Sequence, residues 1–224
     1  MSGLNLILLG CPGSGKGTQA RILSEKFGVR HIATGDILRK EIGQKTDLGK
    51  RVEQYVKSGK LVPDAVMLEM VLRALEACSD GFVLDGFPRT LEQAQSLDSF
   101  LKKNNKVIHL VLYLELTEAE VLRRLSSRRY CVQCDQVYNL ATRVPKTENQ
   151  CDECGGTLAQ RADDRLDTVR KRLMVYRDLT EPLIAYYKAN ETFSSVDGSL
   201  GIEEVSKELI QVVQNKAAYA NQPD

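Results

Sequence analysis

Residues 10–18 read GCPGSGKGT. Gly10, four further residues, then Gly15 and Lys16 fit a phosphate-binding loop. Successive backbone N–H groups through Gly13, Ser14, Gly15, Lys16, Gly17 and Thr18 can turn inward and cradle an anion. A helix opening near Gly15 would add its positive end, and Lys16 can reach the outer phosphates. The usual pattern puts Ser or Thr directly after the lysine, where its hydroxyl holds Mg²⁺. Here that place is Gly17, and the hydroxyl comes one residue late at Thr18. The metal must then be held otherwise. Asp85, at the end of the apolar run GFVLD, is the candidate, because open parallel sheets gather ligands at the carboxyl ends of their strands. The plainer readings are a Gly-rich turn of no function and, for Asp85, a turn residue before Gly86.

A second chemistry is written in cysteines. Cys131 and Cys134, then Cys151 and Cys154, form two C-x2-C pairs with 16 residues between them. This is zinc-site spacing, and four thiolates leave no open position, so the metal would be structural. A lobe of about thirty residues has too little core to stand alone, and a metal can replace that core. Redox thiols are the alternative. Cys11 and Cys78 are assigned to ordinary packing, and His31 and His109 are given no ligand role.

Arginines gather on both sides of the cysteine lobe: Arg123, Arg124, Arg128 and Arg129 before it; Arg161, Arg165, Arg170, Lys171 and Arg172 after it. If the flanks are helical, Arg124 and Arg128 share a face at i,i+4, and Arg161 and Arg172, eleven residues apart, share another. A lobe that returns the chain near its exit would bring both sets beside the phosphate loop, where guanidiniums suit a transferring phosphoryl group. The competing reading is a solvated helix surface paired with Asp163, Asp164 and Asp167, and for Arg170 and Lys171 that reading is preferred.

These residues need a frame. Leu4–Leu9 reads as a buried strand, 15–27 as a helix stopped by Gly28, 81–86 as a short strand, and 107–116 as a long one. An amphipathic helix follows through about Arg128, then a last short strand over 192–196 and a last helix over 201–219. Strands alternating with helices predict an α/β fold, a P-loop-containing parallel sheet in three layers with helices on both faces. Residues 33–62 carry helical charge patterning without a strand and read as a small insert. Residues 129–160 are polar and cysteine-rich and read as a compact lobe. The tail NQPD reads as frayed.

With 42% hydrophobic and 27% charged residues, a packed core is expected rather than disorder. The 31 basic and 30 acidic residues give no global pull toward nucleic acid or membrane. No apolar run approaches the roughly 20 residues that span a bilayer. The cysteines are too unevenly placed for a secreted disulfide framework, so a cytoplasmic protein is expected.

Taken in order, GCPGSGKGTQ, ATGDILR (33–39), GKLVPD (59–64), LDGFPRTLEQA (84–94), SSRRYC (126–131) and RADD…TVRKRL (161–173) make the chain resemble the adenylate kinases, in the long form with a metal-binding lid. The resemblance covers nearly the whole chain and answers the question of Gly17, since in that family a glycine follows the lysine. It implies reversible, Mg²⁺-dependent transfer, ATP + AMP giving two ADP, by a monomer that binds ATP, AMP and ADP. It divides the chain into a core (1–32, 63–126, 165–224), an AMP-binding insert (33–62) and a zinc-binding lid (127–164).

The resemblance also implies roles. Lys16 and its loop hold the ATP phosphates. Arg124 stacks on the ATP adenine, with Val137 and Tyr138 close by and the backbone of Gly198 to Leu200 completing the pocket. Thr34, Arg39, the backbone of Gly59, Lys60, Leu61 and Val62, and Gly86, Arg89 and Gln93 bind AMP; Arg39 and Arg89 meet its phosphate and Gln93 its base. Arg128, Arg161 and Arg172 grip the transferring group, the last two reaching the AMP phosphate as well. Asp85 orients the metal through water. Many relatives mix His or Asp into the lid's ligand set, whereas this chain offers four cysteines, which bears on the metal and not on the reaction. Two rivals stay open: a UMP/CMP-type kinase, against which Thr34 and the long lid speak, and a P-loop protein whose zinc ribbon binds nucleic acid, against which stands the lack of a basic stripe between the cysteine pairs. A nucleotide-gated regulatory protein without transfer activity is a third.

Overall fold

The computed structural model describes residues 3–189 and 192–219; the tail 221–224 lies outside them. At its centre is strand β1 (Leu4–Gly10), flanked in parallel by β3 (Gly81–Asp85) and β4 (Leu110–Glu115), with β2 (Arg30–Ala33) and β8 (Phe193–Asp197) at the edges. The order β2-β3-β1-β4-β8 is a parallel α/β sheet. Its registers pair Ala33 with Asp85, Leu8 with Asp85 and Glu115 with Asp197, so the carboxyl ends of the strands form one rim.

Alternation along the strands builds two cores. Ile7, Leu9, Phe82, Leu84 and Val111 face one side and pack on helices α4 (Asp64–Glu76), α5 (Leu91–Lys103) and α8 (Pro182–Lys188). Leu6, Leu8, Val83, Leu112 and Leu114 face the other, against α1 (Lys16–Phe27) and α9 (Ile202–Tyr219). Helices on both faces explain why β1 is apolar at nearly every position rather than at alternate ones. Helices α2 (Thr34–Gly43) and α3 (Asp47–Ser58) fill the insert and join the first core through Leu38 and Val52. Thr46, Thr90 and Thr117 cap α3, α5 and α6 (Glu118–Ser127) with their hydroxyls. The cysteine region is a small antiparallel sheet of β5 (Arg128–Cys131), β6 (Val137–Asn139) and β7 (Leu158–Ala159). Its buried cluster is Cys131, Tyr138, Cys151 and Leu158.

Three expectations are corrected. The strand expected over 107–116 begins at Leu110, and the preceding segment is held by Asn5: its amide Nδ2 donates to the Val107 carbonyl, its backbone N–H donates to His109 Nδ1, and its carbonyl accepts the His109 N–H. The helix expected through about Arg128 ends at Ser127, and Arg128 opens β5, so Arg124 and Arg128 do not share a helical face. Arg161 precedes a 3-10 turn (Ala162–Asp164) and lies outside α7 (Leu166–Val175), so no shared helical face joins it to Arg172. Strand β2 also went unread: four residues opening with Arg30 and His31 carry no visible alternation.

Ile7 is fully buried in the central strand, so Ile7→Ala is expected to cost roughly 2–5 kcal/mol in chemical denaturation. Val107, 62% exposed, should tolerate Val107→Ala within about 0.5 kcal/mol.

Candidate active site

A cavity of about 1080 Å³ opens on the carboxyl rim of the sheet. That exceeds the roughly 300–1,000 Å³ of ordinary single-ligand pockets. Its floor is the loop after β1. Gly15, with φ +94°, is the N-cap of α1 and offers no side-chain cap, so the first-turn N–H groups have no side-chain acceptor there. Lys16 Nζ turns back to donate to the carbonyls of Gly10 and Cys11, both at 2.7 Å, and to Ser14 Oγ at 3.3 Å. Burial lowers its pKa to about 8, with Asp85 pulling the other way.

Asp85 ends β3 beside this lysine. Burial raises its pKa, but the nearby His31 imidazole and the charge of Lys16 outweigh burial and hold it below the usual value. His31 Nε2 lies 3.5 Å from Asp85 Oδ2, so a histidine read from sequence as ordinary touches the site. The structure also gives Gly17 a reason. A Cβ there would stand 3.3 Å from Asp85 Oδ2, so any side chain would press on the carboxylate. The loop has surrendered its hydroxyl and gained room for Asp85.

The arginines converge, though by other routes than helical spacing. Arg39, Arg89, Arg128, Arg161 and Arg172 all line the cavity. Burial lowers the pKa of Arg161 to about 10, with Arg39 and Arg128 adding to the effect. Arg172 is likewise lowered to about 10, by burial first. Asp163 and Asp164 compensate part of this charge. Arg128 grips Asp164 with Nε (2.7 Å) and Nη2, and Arg172 Nη1 donates to Asp163 Oδ2 at 2.9 Å and Asp164 Oδ1 at 3.4 Å. Asp164 is 1% exposed, so these are buried pairs and not the solvated surface that sequence also allowed. Arg170 and Lys171 are exposed, as that reading preferred. Arg161 Nε is buried without a partner, its guanidinium 5.6 Å over the Tyr130 ring. A partly desolvated cation with a spare donor is suited to an anion.

At one end, Arg124 Nε donates to Glu120 Oε1 at 2.6 Å and Nη2 to the Ser199 carbonyl at 3.1 Å, joining α6 to the loop after β8. Val137, Tyr138 and Leu200 line the same region, though the Tyr138 ring is buried in the cysteine lobe. Gln19, which sequence gave no reason to single out, donates from Nε2 to the Ile202 carbonyl and accepts from Ser206 Oγ, tying α1 to the first turns of α9.

At the other end, Gly86 (φ +79°) would, with a Cβ, meet Thr34 Oγ1 at 2.9 Å and Arg89 Nη2 at 3.0 Å. Its glycine lets both approach. Arg89 Nε donates to the Gly86 carbonyl, and Thr34 Oγ1 to the carbonyls of Asp85 and Gly86. Gly59 and Leu61 line the cavity, whereas Val62 is buried and Lys60 exposed. Thr34 and Gln93, each 1% exposed, lie behind the wall, the Gln93 amide accepting from the Arg89 backbone N–H.

The four cysteine sulfurs of the lobe lie within 4.8 Å of one another. The Tyr138 hydroxyl lies 3.5 Å from Cys151 Sγ and accepts the Asp152 N–H at 2.7 Å, and the Gln133 N–H donates to Cys131 Sγ. This donor set fits a tetrahedral thiophilic ion such as zinc, with no ligand position open to substrate. Cys11 and Cys78 are buried elsewhere. Among the described residues no helix is long and apolar enough to cross a membrane.

A family model described as adenylate kinase matches residues 8–192. The adenylate kinase of Archaeoglobus fulgidus is 48% identical over 213 residues, which are 94% of this chain and 98% of that protein. That of Fervidobacterium nodosum is 47% identical over 212 residues (94% and 97%), and that of Thermosipho melanesiensis 45% over 213 (94% and 100%). With a phosphate loop, a rim of part-buried arginines and this likeness along nearly its whole length, the chain belongs to the adenylate kinase family of phosphotransferases.

Proposed function

We propose that the protein catalyses reversible phosphoryl transfer from Mg·ATP to AMP, giving two ADP. The observation that carries this reading is that Lys16 and the phosphate loop share one cavity with Arg39, Arg89, Arg128, Arg161 and Arg172. Two anion-binding ends joined by further cationic groups suit two nucleotides meeting phosphate to phosphate. An oxygen of the AMP phosphate attacks the γ-phosphorus, and the bond from that phosphorus to the β-bridging oxygen breaks. The attacking oxygen is already ionised, so no general base is needed; the work is alignment and charge stabilisation.

In this reading the phosphate loop and Lys16 hold the ATP phosphates, and Arg124 and the 198–200 backbone hold its adenine. Thr34, Arg39, Gly86, Arg89, Gln93 and the 59–62 backbone receive AMP. Mg²⁺, when bound, neutralises phosphate charge, with Asp85 to orient it. Residues 33–62 and 127–164 act as lobes that close to exclude water, which would otherwise compete as acceptor. Zinc held by Cys131, Cys134, Cys151 and Cys154 keeps the second lobe rigid. The protein works as a cytoplasmic monomer.

The test is a panel of AMP, CMP, UMP and GMP with ATP and Mg²⁺, following diphosphate formation. Fast, stoichiometric ADP from AMP alone is expected. Preference for UMP or CMP would move the protein to that branch, and no transfer at all, with oligonucleotide binding, would overturn the enzyme reading. Gly17→Thr should lower kcat about tenfold by displacing Asp85, with Tm nearly unchanged; an unaltered kcat would show that the carboxylate's position is not needed. Stripping the lid metal with a chelator should lower Tm far more than it slows transfer at low temperature. A loss of transfer without a loss of Tm would sink the structural role of the metal.

A further inference from the structure

Asp64 is the first residue of α4, directly after the 59–62 segment, and its two carboxylate oxygens are both engaged. Oδ1 accepts from Gln93 Nε2 at 2.6 Å, and Oδ2 accepts from Thr90 Oγ1 at 2.7 Å. The polarity of this network is determined throughout. The Gln93 backbone N–H donates to Thr90 Oγ1, which leaves the hydroxyl proton for Asp64. Asp64 Oδ1 is the acceptor toward Gln93, because the end of the amide that faces it is the Nε2 donor. On the other side, Gln93 Oε1 accepts the Arg89 backbone N–H at 2.8 Å, a group that can only donate. A carboxamide can ordinarily turn end for end at little cost. This one cannot, because turning it would set N–H against N–H at Arg89 and oxygen against oxygen at Asp64. With Gln93 1% exposed, water does not stand in for the lost partners.

A primary amide has two N–H donors and two oxygen lone pairs. Two of these four are spent on Asp64 and Arg89, leaving one N–H and one lone pair in a fixed order, which meet a base once AMP binding opens the wall that covers Gln93 here. We propose that Asp64 is a specificity-determining positioning residue, which locks the Gln93 amide in the orientation that reads a 6-amino purine and refuses a 6-oxo purine. This rests on the reading that Gln93 meets the base of the acceptor monophosphate. Adenine offers a ring-nitrogen acceptor beside an amine donor, the complement of the remaining N–H and lone pair. Hypoxanthine offers N–H beside a carbonyl, the reverse. To accept it, the amide would have to give up both anchors, and a buried site built for one polarity rejects the other strongly. The lock also shares its backbone with Arg89, whose guanidinium lines the cavity, so one short segment sets base choice and anion contact together.

The experiment compares kcat/KM for AMP and for inosine monophosphate at saturating Mg·ATP, in the wild type, Asp64→Leu and Asp64→Asn. Inosine monophosphate is the probe because it inverts the polarity without adding guanine's 2-amino group. Asp64→Leu keeps the size and removes the acceptor, so the AMP-to-IMP ratio should fall about tenfold or more. Asp64→Asn keeps an acceptor oxygen for Gln93 Nε2 and should retain most of the ratio. A purely structural role would lower both substrates equally and leave the ratio unchanged in Asp64→Leu, which overturns the proposal, as does an equal collapse of the ratio in both variants. If Asp64→Leu does not accumulate as folded protein, Asp64→Ala is read in the same way. A wild type that phosphorylates neither substrate defeats the proposed function itself; an AMP-selective wild type whose Leu variant keeps its selectivity defeats only the role of Asp64.

Discussion

Like charges held together out of water repel, and this structure holds Arg39, Arg89, Arg128, Arg161 and Arg172 around one cavity. Burial is the leading cause of the lowered pKa at Arg89, Arg161 and Arg172, and neighbouring guanidiniums deepen it at each. Such a cluster persists only if something offsets it. Asp163 and Asp164 do so in part, and they sit on the short turn between the cysteine lobe and α7, where they reach arginines from either side of that lobe. The compensation is incomplete by design of the donor count: Arg161 Nε has no partner. What remains is a standing demand for a polyanion at the rim of the sheet, next to the loop that offers backbone N–H groups.

The rest of the molecule can be understood as the means of holding that demand in place. The two apolar cores fix the carboxyl ends of β1 and β3, and so fix Lys16 against Asp85. Gln19 ties the phosphate-loop helix to the start of α9 through Ile202 and Ser206, and Arg124 ties the loop after β8 to α6. The cysteine lobe has the least to hold itself with. Its buried cluster is four residues, two of them thiols, which leaves a small area of apolar surface to bury. Four sulfurs gathered within 4.8 Å offer what the core lacks, since a bound metal contributes its binding energy directly to folding.

Much of this was legible in the residues because the relevant signals are local. A glycine-rich loop between a strand and a helix, two C-x2-C pairs, and an aspartate closing an apolar run each carry their meaning within a few positions. The arginines were legible as a set but not as a geometry. Helical spacing paired Arg124 with Arg128 and Arg161 with Arg172, whereas β5 begins at Arg128 and a 3-10 turn separates Arg161 from α7. They converge because the lobe's strands return the chain, which no periodicity encodes. His31 against Asp85, Gln19 against Ile202 and Asp64 against Gln93 were out of reach for a related reason. Each is one polar side chain whose importance lies in a partner that only the tertiary structure supplies. Strand β2 was hidden because its outer half is polar and exposed.

The proposed reaction gives the charge cluster a further consequence. Its members come from separate segments: Arg39 from the insert, Arg89 from the loop after β3, Arg128 from the entry of the cysteine lobe, Arg161 and Arg172 from its exit. If the insert and the lobe move, as proposed, then the cluster is complete only when both are closed, and its repulsion opposes closure until phosphates fill the gap between them. Closure without substrate is then disfavoured by the same charges that stabilise the transferring group once substrate is present. Excluding water and neutralising the phosphoryl group become one event, and an open site, exposed to water, lacks the arginines that would make hydrolysis fast.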